Sequence, residues 1–170
     1  MASQTQFAGS RILASFLNSI APLNAVRSST QSVSSSTTLV NDDTLFLALA
    51  ANATYNVELL LLYSGGTQLS SDMKWGFTLP SGASGAGETS HLAISGGSAV
   101  YANQATNLTA SGSANVCATG GAGTAFAAKT TATIFTTGAG TLQLQWAQNT
   151  SSATATIMGI GSSLVAWRLA

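Results

Sequence analysis

The sequence predicts an all-β protein, a jelly-roll-type β-sandwich carrying a short N-terminal helical arm. Three observations predict it. Runs of alternating apolar and polar residues recur after residue 31, as expected of strands that turn one face to a core. Clusters of Gly, Ser and Pro separate them at short intervals. A hydrophobic share of 45% in 170 residues can fill one core, and no fixed-period repeat marks a propeller or solenoid.

The arm comes first, residues 1–30, with the sandwich over 31–170. Ser10 can cap a short helix. Ile12, Phe16 and Ile20 follow at spacing four, flanked by Leu13 and Leu17, and form one apolar stripe. Pro22 stops or bends the segment. A helix of that length does not persist alone in water, so the stripe must dock, either on its own domain or on another chain. "SSTQSVSSSTT" (28–38) reads as a linker entering a strand near Ser32.

Strands are expected over Thr44–Leu49, Tyr55–Tyr63 and Asp72–Leu79, with turns at Ser64-Gly65-Gly66 and Pro80-Ser81-Gly82. Ser81–Thr89 reads as a Gly/Ser/Ala loop and His91–Ser95 as a short strand. Thr124–Thr137 is a long β-branched stretch. Gly138-Ala139-Gly140 turns it into "TLQLQWAQN", where Leu142, Leu144 and Trp146 share a face. Ala153–Met158 and Ser163–Leu169 complete the set.

One strand is unusual. In "NVELLLLYSGG" (56–66), Val57, Leu59, Leu61 and Tyr63 lie on one face, and Glu58, Leu60 and Leu62 on the other. Both faces are mostly apolar, whereas a two-layer sandwich needs only one. The second face requires a cover. A threefold neighbour meeting Leu60 and Leu62 supplies one, and a loop from 84–135 of the same chain is the competitor.

Charge excludes several functions. Only 6% of residues are charged, five Lys/Arg against five Asp/Glu, with no basic cluster. Phosphate-backbone binding needs several cations on one face, so nucleic acid is not an expected partner. A single cysteine, Cys117, forms no intrachain disulfide. No apolar run reaches the length of a bilayer span, and no membrane insertion is expected. "RILASFLNSIAPLNA" (11–25) faintly resembles a signal peptide, but Ser15, Asn18 and Ser19 interrupt it, and it is expected to be retained.

Catalytic chemistry has little to build on. His91 is the sole histidine, and "GETSHLA" holds no G-x-S-x-G elbow. A strand-edge histidine is the plainer reading, and no enzyme activity is expected. Asn41-Asp42-Asp43 could offer oxygens to calcium, although such a triplet is more often a turn or cap. No zinc spacing and no phosphate loop occur, so no cofactor is expected. The glycine clusters "SGASGAG" and "TGGAGTA" read as surface loops. Asn52, Asn107 and Asn149 match the glycosylation sequon, which a Ser/Thr-rich chain meets by chance. Trp75, Trp146 and Trp167 sit in strand patterns and read as core or interface.

Four stretches carry a resemblance: "TTLVNDD" (37–43), "AANATYNVELLLLY" (50–63), "DMKWGFTLPSGA" (72–83) and "LQLQWAQNTSSATATIMGIGSSLVAWRL" (142–169). Their order resembles a β-structured domain of minor tail and other virion surface proteins of phages infecting actinobacteria. "GSRILASFLNSIAPL" (9–23) resembles the segment that precedes that domain. The resemblance spans most of the chain outside 84–135. It implies a structural virion protein and no catalytic residues. The expected knob is similar to the trimeric knobs of the tumour-necrosis-factor and complement-C1q kind.

The expectation is a homotrimeric knob on the outside of a capsid or tail, assembled in the host cytoplasm. Leu60 and Leu62 would form the trimer contact. Ile12, Leu13, Phe16, Leu17 and Ile20 would anchor it to major capsid or tail proteins. The alternative is a receptor-binding adhesin for host cell-surface glycans.

Overall fold

The computed structural model describes residues 21–65, 73–95, 98–109, 115–118 and 125–170. Among these residues the chain forms strands and no helix. The expected helix, with Ile12, Leu13, Phe16, Leu17 and Ile20, lies outside the described residues.

The strands are β1 (Leu23–Val26), β2 (Gln31–Val33), β3 (Val40–Leu49), β4 (Ala53–Ser64), β5 (Met73–Thr78), β6 (Ser84–Ser95), β7 (Ser98–Thr109), β8 (Asn115–Cys117), β9 (Phe126–Thr136), β10 (Gly140–Gln148), β11 (Thr156–Met158) and β12 (Ser163–Arg168). They build two antiparallel sheets, a β-sandwich as the sequence predicts. The larger runs β1-β12-β4-β9-β6-β7, with β11 bridging β4 to β2; the smaller runs β3-β10-β5-β8. From β3 to β5, and again from β8 to β10, consecutive strands alternate between the sheets. The β6–β7 hairpin interrupts this alternation and widens the larger sheet beyond β9.

The core follows the period-two pattern. In β4, Tyr55, Val57, Leu59, Leu61 and Tyr63 are all buried. They face Leu45, Leu47 and Leu49 of β3, Leu142, Leu144 and Trp146 of β10, and Met73, Trp75 and Phe77 of β5 within one apolar cluster. Trp75 and Phe77 meet edge to face at 5.8 Å, a favoured aromatic geometry. Trp75 Nε1 donates to Cys117 Sγ at 3.3 Å, so the buried indole keeps a partner. Trp75 and Trp146 are therefore core residues, while Trp167 is half-buried on the opposite face of the larger sheet.

Two boundaries differ from the sequence reading. Residues 23–26 pair with β12 in the register Leu23↔Ala166 to Val26↔Ser163. Four residues with an exposed alternate position carry too little periodicity to read as a strand, yet they close one edge of the sandwich. Residues from 23 of the segment that reads as arm are thus built into the sandwich. Ser84–Thr89, read as loop, is the first half of β6 and pairs with both β7 and β9. Only Pro80–Ala83 is a turn, closed by Ala83 N–H donating to Pro80 O at 3.0 Å, with Gly82 at φ +73°.

Gly85 and Gly87 explain the misreading. Glycine weakens the strand signal, but here it permits a close backbone approach. A Cβ on Gly87 would overlap the carbonyl oxygen of Thr131 and lie 2.6 Å from Ala132 Cα. Gly87→Val is therefore expected to lose about 2–3 kcal/mol through overpacking. Urea denaturation reads the loss, and an unchanged midpoint would show that β6 does not press on β9.

Candidate functional site

The outer face of the larger sheet is the surface to consider. Across it, β-pairing aligns Val26, Ser163, Leu60 and Lys129 in one row, and Val165, Glu58, Thr131 and Glu88 in the next. Val26 is 57% exposed, Leu60 36%, and Ile160 of the adjoining turn 60%. Val165 is half-buried. Glu58, Leu60, Lys129, Ser163 and Val165 line a shallow depression of about 210 Å³. Glu58 and Lys129 pair at 3.5 Å and bound this apolar strip on the β9 side. An exposed pair of this kind contributes little to stability.

Leu62 is treated differently. The turn 159–162 folds over it: Gly159 N–H and Ser162 Oγ–H both donate to Leu62 O, at 2.6 and 3.2 Å. Leu62 N–H in turn donates to Ser162 Oγ at 2.9 Å. Part of the second apolar face is thus covered within the chain, by the segment before β12. Leu60 remains open.

A buried ion cluster locks the N-terminal strands to the sandwich. Arg27 is 1% exposed, although arginine is among the residues least often buried. Its Nη1 donates to Asp42 Oδ1 at 2.7 Å and Asp43 Oδ1 at 2.6 Å, and its Nε donates to Ser29 O at 3.1 Å. Asp42 Oδ1 also accepts from Thr44 N–H and Leu45 N–H at 3.0 and 2.8 Å. That local turn inside β3 coincides with the register shift against β10 and moves the core side from Asp42 to Leu45. Burial acts to raise the Asp43 carboxyl, but the Arg27 and Thr44 hydrogen bonds and the Arg27 charge hold it below its ordinary value. Asp42 and Asp43 of the triplet therefore serve Arg27, while Asn41 accepts from Gln31 Nε2 through its carbonyl oxygen and from Gln145 Nε2 through Oδ1. Among the described residues, no group of three or more His, Cys, Asp or Glu gathers for a metal ion.

His91 lies near a second buried polar group. Thr89 Oγ1 sits 2.8 Å from both Thr106 Oγ1 and Thr130 Oγ1, and Thr106 Oγ1 donates to Asn115 Oδ1 at 3.2 Å. This chain of hydroxyls ties the hairpin to β9 and β8. His91, two residues along β6 from Thr89, is 4% exposed. Burial lowers its pKa below the ordinary 6.5, only partly offset by a backbone hydrogen bond at Thr89. A lowered value means that the unfolded chain binds the proton first. Stability is then unaffected by His91 above about pH 6.5 and falls as pH drops below it. The expected slope approaches at most about 1.4 kcal/mol per pH unit. His91→Gln should flatten the stability profile between pH 6.5 and 5. Parallel profiles for the two proteins would remove His91 as the cause.

The sequence reading placed Leu60 and Leu62 together; the structure puts both on one strand face and leaves Leu60 as the exposed one. Arg27 as a buried partner of Asp42 was not read, because no spacing signals a pair fifteen residues apart. The outer face of β6–β7 was missed because "SAVYANQATNLT" (98–109) lacks clean alternation. The chain matches no protein-family model and no curated protein.

Proposed function

We propose that this chain is a structural virion protein of a phage, a trimeric jelly-roll knob displayed on the outside of a capsid or tail and held there by its N-terminal segment. The observation that carries the assembly is the open apolar strip around Leu60, in a protein with 6% charged residues. Val26, Leu60, Ile160 and Val165 bring apolar surface to this side of the sheet between Ser163, Glu58 and Lys129, and a partner would remove it from water. A copy of the same chain, arranged about a closed symmetry axis, covers it without open-ended growth.

Support for the jelly-roll reading comes from strand order. The rows β1-β12-β4-β9 and β3-β10-β5-β8 face each other, and the chain passes between them strand by strand. Support for the virion reading comes from the four resembling stretches, which map onto β3, β4, β5 and β10–β12. Those are the strands that carry most of the core.

Sedimentation equilibrium at micromolar concentration tests the assembly. The expected mass is three times the 17.0 kDa of the chain. A monomer would leave the strip around Leu60 without its proposed cover and sink the trimeric knob.

A further inference from the structure

We propose that the outer face of the β6–β7 hairpin is a binding site for a neutral glycan. A groove of about 550 Å³ crosses β7, β6 and β9 there. The groove is shallow and open to solvent along the sheet face, so it would hold one side of a ligand. Its floor is made of small residues, Ala86, Gly87 and Ala105, so a ring can approach the backbone. Its polar side chains are Glu88, Asn103, Thr131 and Thr133; Gln104 lines it through its backbone, since its side chain shares the other face with Thr89.

The chemistry of these groups selects the ligand class. Among the described residues, Glu88 is the sole ionisable one lining the groove, and no cation lines it. The nearest lysine, Lys129, is engaged by Glu58 at 3.5 Å. Phosphate, sulfate or carboxylate ligands would meet a bare negative charge. An apolar ligand would desolvate the carboxylate and the Asn103 amide without replacing their hydrogen bonds. A polyhydroxylated ring satisfies them: the carboxylate accepts from hydroxyls, the Asn103 amide donates, and the threonines do either.

One further feature fits a sugar. Tyr101 is 89% exposed and lies two residues along β7 from Asn103, hence on the same face of the strand. A large aromatic side chain so exposed presents a flat apolar surface with a polar tip. It lies beyond the groove's lining, about 7 Å along β7 from Asn103 at the usual rise per residue, on the side where the C–H face of a bound pyranose would stack. Ser90 Oγ donates to Asn103 Oδ1 at 2.7 Å, which orients the Asn103 amide so that its N–H₂ is free to donate.

This inference does not rest on the trimer. Leu60 sits on β4, two strands from β6, or about 10 Å across the sheet at the usual strand spacing. The Glu58–Lys129 pair lies between the two surfaces. The site is therefore open in a monomer and stands beside, rather than in, the Leu60 strip.

The test uses the full chain on a printed array of neutral and acidic oligosaccharides and unglycosylated peptides, followed by calorimetric titration of the best neutral binder. Binding to neutral oligosaccharides is expected. Glu88→Gln and Asn103→Ala should each weaken it about tenfold or more, the loss of one or two good hydrogen bonds. Tyr101→Ala should weaken it in the same direction. All three side chains are exposed, so equal thermal midpoints will show that the variants remain folded. The proposal is overturned if no neutral oligosaccharide binds at millimolar concentration, if only acidic glycans or peptides bind, or if Glu88→Gln and Asn103→Ala bind as the parent does.

Discussion

Asp42→Ala is expected to destabilise the sandwich by about 3–5 kcal/mol, the cost of leaving one member of a buried ion pair alone. Arg27 would keep Asp43, but Asp43 stands at the surface, with its side chain 59% exposed, and cannot replace the contact inside. The N–H groups of Thr44 and Leu45 would lose their shared acceptor as well. Because β1 and β2 flank Arg27, the damage should appear first as opening of residues 23–33, read by hydrogen exchange. The double variant Arg27→Met/Asp42→Leu should recover a large part of the loss, since neither charge is then stranded. A single Asp42→Ala variant within about 1 kcal/mol of the parent would place it among ordinary surface changes and refute the lock.

In the proposed trimer, Leu60→Asp is expected to release folded monomers. The side chain points away from the core, so the sandwich itself does not require it. At the interface, the same carboxylate would be buried without a partner, which an assembly does not tolerate. The neighbouring residue supplies the contrast. Leu59 is 1% exposed in the core, and Leu59→Asp should unfold the chain outright. Leu62→Asp is less clean, because the turn 159–162 rests on Leu62 and would be disturbed within the chain. Trimers of normal mass from Leu60→Asp would show that another surface holds the copies together.

The strands that fill the core were legible because their side chains alternate. Tyr55–Tyr63, Leu142–Trp146 and the Trp75–Phe77 pair all carry period-two burial, and each lies in a strand where the sequence puts one. What escaped was decided by tertiary contact. Gly85 and Gly87 look like loop residues until β9 is seen pressing on them. Leu23–Val26 has too few residues to show a period, and its pairing with β12 comes from the far end of the chain. The Arg27–Asp42 contact depends on a bulge in β3 that no local pattern announces. The proposed glycan groove has the same character. Its residues come from three strands, and their individual types, Ala, Thr, Asn, Gln and Glu, are common on any surface.

The placement of β1 and Arg27 also fixes how the attachment claim must be tested. A truncation at Ser28 would remove a sheet edge and a buried cation, and would confuse unfolding with loss of an anchor. A chain beginning at Ala21 keeps both, yet lacks Ile12, Leu13, Phe16, Leu17 and Ile20. The decisive measurement is co-sedimentation of the full chain, and of the chain from Ala21, with phage particles that lack the native protein. The account predicts that the full chain pellets with the particles and that the shortened chain, folded and trimeric, stays in the supernatant. A full chain that stays behind would contradict the virion assignment, and a shortened chain that pellets equally well would contradict anchoring by residues 1–20.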